Sequence, residues 1–145
     1  MEKIHQIDIA LIQLERACSL FFEGDLICAL TLAGAAEEIL GEIANKESKK
    51  LLGRGKGEKG FNALNLEAGL MHDFFGVNYF DYIKDKNRLR NNLKHMTPDY
   101  LVQLDELELT VKQFIGNAIT NYKLLSTQLP ALSNIEKFCK IVGVS

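Results

Sequence analysis

Apolar residues recur at every third or fourth position along most of the chain, the signature of helices that bury one face. Ile4, Ile7, Leu11, Leu14, Cys18 and Phe21 form the first such stripe. Ala10 and Ala17 widen it, and together they predict a helix from about Lys3 to Phe22. Gly24-Asp25 interrupts the pattern, and Asp25 has the side chain to cap a second helix. Leu26, Ala29, Ala33, Ala36, Leu40 and Ile43 carry that helix forward, and its run of small residues around Gly34 lets a neighbour approach closely. The link is short, so the two helices are predicted to form an antiparallel hairpin.

From Asn45 to Gly60 the periodicity disappears. Lys46, Lys49, Lys50, Arg54, Lys56 and Lys59 outnumber Glu47 and Glu58, with glycines at 53, 55, 57 and 60. The stretch reads as a flexible basic loop at about 46–60, either a solvated connector or an arm for phosphate backbones. It is not a P-loop, because no strand precedes it and no Gly-Lys is followed by Ser or Thr. Asn65 to Phe75 then suits a short helix whose apolar positions are Leu66, Leu70 and Phe74. His72-Asp73 on that helix reads as a surface pair. Gly76-Val77-Asn78 ends it, leaving Asn78 to cap the next helix.

On that next helix each residue advances about 100°. With Leu93 as the core direction, Tyr82, Leu89 and Met96 face inward, with Tyr79, Ile83 and Lys86 nearby. Lys84, Arg88, Asn91 and His95 point the opposite way, and Arg90 and Lys94 lie on a flank. Pro98 disfavours helical geometry at Thr97, so the helix should stop near Met96. Thr97-Pro98-Asp99 is then a helix start, with Thr97 as cap and Pro98 at the first position. That helix should reach Leu125 along Leu101, Leu104, Val111, Ile115, Ala118, Tyr122 and Leu125, with Glu108 on the same seam. Pro130 opens a last short helix ending near Ile141. No strand pattern, internal repeat or domain boundary interrupts this series. The expectation is one all-α domain over residues 1–145. Its form is an up-and-down antiparallel helical bundle of four to five main helices plus a short C-terminal helix.

Composition narrows the class. A chain of 145 residues with 47% hydrophobic and 25% charged residues can build a core without disulfides or metal. The net charge of −2 gives no global attraction to nucleic acid or membranes, so anion binding has to come from a local patch. Cys18, Cys28 and Cys139 are odd in number and form no CxxC pair. Cys18 and Cys28 read as small core residues in a reducing compartment. The first residues do not resemble a signal peptide, and the longest apolar run, Leu26 to Ala36, is too short to span a bilayer. A soluble, cytoplasmic protein with no membrane partner is expected.

The candidate chemistry concentrates in Asn87-Arg88-Leu89-Arg90-Asn91-Asn92-Leu93-Lys94-His95, where an imidazole, two guanidiniums, an ammonium and several amides crowd together. His95 falls in the last helical turn, whose unpaired carbonyls favour an imidazolium by about 0.3–1 kcal/mol. Arg90 and Lys94 oppose that by like-charge repulsion, an arrangement that suits titration near neutrality and general acid–base work. The three histidines are scattered, so no metal site is expected, and no Ser or Cys nucleophile has a partner motif.

A helical bundle with Arg-Asn-x-x-x-His at the end of its penultimate long helix resembles the HEPN superfamily of small prokaryotic domains in toxin–antitoxin, abortive-infection and other RNA-targeting defence proteins. Arg90, Asn91 and His95 match that family's motif, an arginine, usually followed by a polar residue, and a histidine after four to six intervening positions. Arg88 with His95 also satisfies the spacing, and Asn91 favours Arg90. The run Ala33-Gly34-Ala35-Ala36-Glu37-Glu38-Ile39-Leu40 is similar to the family's second helix. The resemblance spans about Ile4 to Leu125 in pattern and these two segments in residue identity. It implies a metal-independent endoribonuclease, without cofactor, that leaves a 2′,3′-cyclic phosphate. His95 would move the proton, Arg90 would stabilise the charged phosphorane, and Asn91 would orient. Lys94, Arg88, Lys49, Lys50, Arg54 and Lys56 would hold RNA. It also implies a homodimer in which two motifs meet, with a cognate antitoxin or nucleotidyltransferase as a further partner. The alternative is a non-catalytic module of the same shape that binds RNA, nucleotides or a partner protein.

Overall fold

The computed structural model describes residues 2–55, 60–95, 103–126, 128 and 131–143. Six helices follow one another among the described residues, and no strand does: α1 (Gln6–Glu23), α2 (Leu26–Leu51), α3 (Ala63–Phe75), α4 (Tyr79–His95), α5 (Leu104–Leu125) and α6 (Ser133–Val142). The all-helical expectation holds. No described helix is long and apolar enough to cross a membrane.

The helix around which the others assemble is α2. It packs along both α1 and α5, and α6 closes on α1. Ala29, Ala33, Gly34, Ala36, Gly41 and Ala44 are all buried on α2, and side chains this small allow two neighbours to approach it at once. Leu14, Leu30, Leu40, Ile115, Ile119, Ile135 and Phe138 fill the space between and are fully buried. Each contributes about 1.5–3 kcal/mol by leaving water. The buried cluster draws on α1, α2, α5 and α6 only. Among the described residues neither α3 nor α4 adds to it.

Polar contacts fix the ends of the elements. Asp25 caps α2 by accepting a hydrogen bond from the Cys28 backbone N–H, and Gly24 closes α1 in the left-handed conformation, as the sequence predicts. Glu15, on α1, caps α6 from a distance: its two carboxylate oxygens accept from the N–H groups of Asn134 at 2.8 Å and Ile135 at 3.0 Å. Asn121, fully buried on α5, accepts a 2.7 Å bond from the Ala63 N–H at the start of α3 and donates to the Glu37 carbonyl on α2. Ser48 on α2 accepts from the Phe61 N–H, and Gly60 lies so close that a Cβ there would sit 1.9 Å from the Asn45 carbonyl oxygen. The entry to α3 is thus sewn onto α2 and α5.

Several expectations need correction. Residues 46–51 are not loop: α2 continues through Lys46, Glu47, Ser48, Lys49 and Lys50 to Leu51. Lysine and glutamate are good helix formers, and the chain breaks only at Gly53, whose φ of 63° requires glycine. Lys56 and the rest of 56–59 lie outside the described residues. Cys28 is exposed, on the side of α2 turned away from Ala29 and Leu30; Cys18 and Cys139 are buried. In α3 the apolar stripe is not the buried one. Leu66, Leu70 and Phe74 are exposed, the last by 75%, whereas Ala63, Leu64 and Ala68 face inward. The described part of α5 begins at Leu104, 73% exposed, with Gln103 as a cap that makes no side-chain bond. The start read from Thr97-Pro98-Asp99, together with Leu101, falls in 96–102, outside the described residues, as does Pro130 before α6.

Candidate functional site

The motif segment occupies the last turns of α4. Asn78 opens this helix by accepting from the Asp81 N–H at 3.1 Å, and Asp81 in the first turn complements the helix dipole. Tyr79, Tyr82, Ile83 and Lys86 are half-buried, while Lys84, Arg88 and Asn91 are exposed. That is the division between faces that the sequence predicts. The helix is described as far as His95, and the end that Pro98 implied falls in 96–102, outside the described residues. The side chains of Leu89, Arg90, Leu93, Lys94 and His95 lie outside the described residues.

Two carboxylates from other helices hold α4 in place. On the α3 side, the Tyr82 hydroxyl donates to Glu67 at 2.5 Å, and the Lys86 ammonium sits 3.9 Å from the same carboxylate, over the Tyr82 ring. Desolvation, and then the bond to Glu67, push the Tyr82 phenol above its ordinary range. On the α5 side, the Arg88 guanidinium binds Glu106 at 2.5 Å and approaches Asp85, one turn back on its own helix, at 3.5 Å. Neither anchor was legible. Glu67 and Glu106 are separated from their partners by 15 and 18 residues, and no local spacing flags such a pair. Glu108, which periodicity reads as an edge position of the α5 seam, is exposed and paired with Lys112.

Outside these anchors α4 borders an open groove of about 500 Å³ lined by Asp81, Lys84, Asp85, Arg88 and Asn91. Among the described lining residues Asp81 and Asp85 balance Lys84 and Arg88. The remaining candidate cations gather elsewhere. Lys49, Lys50 and Arg54 line a second groove of about 400 Å³ at the C-terminal end of α2, which shares no residue with the first. Among the described members of the RNA-binding set of the sequence reading, Arg88 thus lies apart from Lys49, Lys50 and Arg54, while Lys56 and the Lys94 side chain lie outside the described residues.

The other titratable residues do not build a competing centre. His72 places Nδ1 3.1 Å from the Val77 carbonyl oxygen at the close of α3, as part of a turn. No group of three or more His, Cys, Asp or Glu among the described residues could hold a metal ion. Burial, with the charge of Glu15, raises the Cys18 thiol to about 12, and burial likewise raises Cys139, so neither is a ready thiolate. No family model, curated protein or solved structure matches the chain.

Proposed function

We propose that the chain is a metal-independent endoribonuclease of the HEPN type. It works as a homodimer of up-and-down helical bundles in which Arg90 and His95 of both copies face one cleft. The observation that carries this reading is the engagement of Arg88. Its guanidinium is bound to Glu106 and Asp85, an engagement with the neighbouring helix that supports a bracing role for it. Arg90, with Asn91 beside it and His95 four positions beyond Asn91, is the motif arginine in this reading.

In this mechanism one His95 imidazole accepts the proton of a ribose 2′-hydroxyl as its oxygen attacks the adjacent phosphorus. The second copy's imidazole donates a proton to the departing 5′-oxygen. The products are a 2′,3′-cyclic phosphate and a free 5′-hydroxyl. Arg90 balances the charge that builds on the phosphorane oxygens, Asn91 orients the phosphate and Lys94 holds it. The test is cleavage of a structured RNA in excess EDTA. Wild type should cut, and His95→Ala should lose at least about 100-fold, the lower end of what a positioned acid–base contributes. Equal cleavage by both sinks the assignment.

A second reading, a phosphate-binding module that does not cut, draws support from the position of Lys49, Lys50 and Arg54 away from the α4 groove. Specific RNA binding by wild type with no cleavage under any condition favours it.

A further inference from the structure

Leu66, Leu70 and Phe74 stand one turn apart on α3 and form a ridge that the fold leaves in water. Phe75 adjoins Phe74 at the helix end, and both rings are about three-quarters exposed. The buried residues of the same helix are Ala63, Leu64 and Ala68. Most of its large apolar side chains thus point outward, the reverse of a helix that serves only its own core. Residues 60–88, which include the ridge and the turn into α4, are all described. A phenylalanine covered by a partner takes about 200 Å² out of water, so Phe74 and Phe75 present about 300 Å², and Leu66 and Leu70 carry the patch to about 450 Å². Monomers seldom leave so much contiguous apolar surface uncovered. A standard interface takes about 800 Å² from each side with somewhat over half of it apolar, which is again about 450 Å². Two such ridges together therefore supply the apolar area that a stable dimer needs.

Chemistry narrows the occupant. Along its whole length α3 carries Glu67, His72 and Asp73 and no Lys or Arg. Anionic lipid and nucleic acid are met by cations, so neither suits this face. A second helix does, because a ridge at four-residue spacing packs into the groove of a like ridge. The ridge is also symmetric about Leu70. In an antiparallel pair, Phe74 of each copy lies beside the smaller Leu66 of the other, the self-complementarity that a two-fold contact requires. Gly69 flanks the centre. A Cβ there would meet nothing within 4 Å, so no packing inside the chain calls for a glycine that costs helix stability, whereas bare backbone lets a second helix come close. We propose that two copies of the chain pair antiparallel through α3, about a two-fold axis at Leu70. Glu67 sits beside Tyr82 and Lys86, so Phe74 and the α4 motif lie toward opposite ends of the α3–α4 hairpin. The contact is distinct from the cleft of the nuclease reading and does not rest on it; a chain that uses both assembles beyond a dimer.

The test is the mass of the full chain by sedimentation equilibrium across the micromolar range. It compares wild type, Leu70→Glu/Phe74→Glu, and Ile12→Glu/Leu109→Glu as a charge-matched control at exposed apolar positions of α1 and α5. Glutamates of both copies would face one another across a desolvated ridge, which should halve the wild-type mass and weaken association at least about 100-fold. The control should keep the wild-type mass, and circular dichroism should be unchanged in both variants. If the ridge variant fails to fold, Leu70→Cys in a Cys28→Ser background decides. A short bismaleimide should join two copies at that position, and should not join Ile12→Cys in the same background. A wild type that is monomeric at every concentration, an unchanged mass in the folded ridge variant, equal losses in ridge and control variants, or no crosslink at Leu70→Cys each overturns the proposal. Crosslinking of Leu70→Cys but not of Asn91→Cys keeps this contact and removes the nuclease reading; the reverse removes this contact alone.

Discussion

Arg88 of α4 and Glu106 of α5 form an ion pair that bridges the two helices. Both side chains are more than a third exposed, 46% and 37%, so water screens the pair and its worth to stability is less than about 1 kcal/mol. Its consequence is positional: together with Tyr82–Glu67 it sets where the last turns of α4 point.

The two arginines should therefore separate cleanly. Arg88→Ala is expected to lower the unfolding free energy by less than about 1 kcal/mol and cleavage only a few-fold. Arg90→Ala should lower cleavage by about 100-fold or more, as loss of one charge-stabilising donor does. The charge-swapped pair Arg88→Glu/Glu106→Arg should recover part of what either single change loses. Paired urea titrations and single-turnover cleavage rates check this.

The buried amide of Asn121 should matter far more to stability than its surface counterparts. Asn121→Ala leaves the Ala63 N–H and the Glu37 carbonyl without their partner and opens a small void, for an expected loss of about 2–4 kcal/mol. The glycines on the same seam should rank by clearance. A Cβ at Gly41 meets Asn121 Nδ2 at 3.2 Å, which a slight shift relieves, whereas one at Gly60 runs into the backbone oxygen of Asn45. Thermal unfolding should show Gly60→Ala as clearly the more damaging of the two.

Alkaline pH should destabilise the protein through its buried acids. Burial raises the Cys18 thiol from 9.0 to about 12, and Tyr82 and Cys139 shift in the same direction. A pKa raised by folding gives stability that is complete below the unfolded value and lost as pH rises toward the folded one. For Cys18 the window is pH 9 to 12, with a slope near 1.4 kcal/mol per unit while only the unfolded thiol is ionised. Cys18→Ala should shallow that limb, at about 1 kcal/mol of cost at pH 7. Chemical denaturation at a series of pH values reads both.

Thiol chemistry tests the placement of the cysteines. In the native protein only exposed Cys28 should react with a disulfide reagent, and slowly, because Asp25, first as hydrogen-bond acceptor and then as charge, raises its thiol. All three should react in denaturant. Fast modification of Cys18 in the native state contradicts the packing of α1 on α2.

What the sequence could disclose follows from the range of each signal. Asp25 and Asn78 were legible as caps because a cap acts across three residues, and most of the α1 and α5 stripes because burial repeats within one helix, although Ile4 precedes α1 and, like Leu104, is exposed. The end of α2 was misread because Lys46 to Lys50 carry no apolar period, although its lysines and Glu47 favour a helix. The face of α3 was misread because its buried side is made of small Ala63 and Ala68, while Leu70 and Phe74 remain in solvent. Asn121, Glu67 and Glu106 went unseen because their partners lie on other helices. The α4 motif was legible as a string of residues; the carboxylates that brace its helix were not.

The account turns on two copies of the α4 terminus meeting. Asn91, exposed beside the motif, can report that directly when replaced by cysteine in a Cys28→Ser background that removes the native exposed thiol. Mild oxidation of Asn91→Cys should give a covalent dimer at micromolar concentration, with competing RNA slowing its formation. A chain that stays uncrosslinked and sediments as a monomer at every workable concentration contradicts the account.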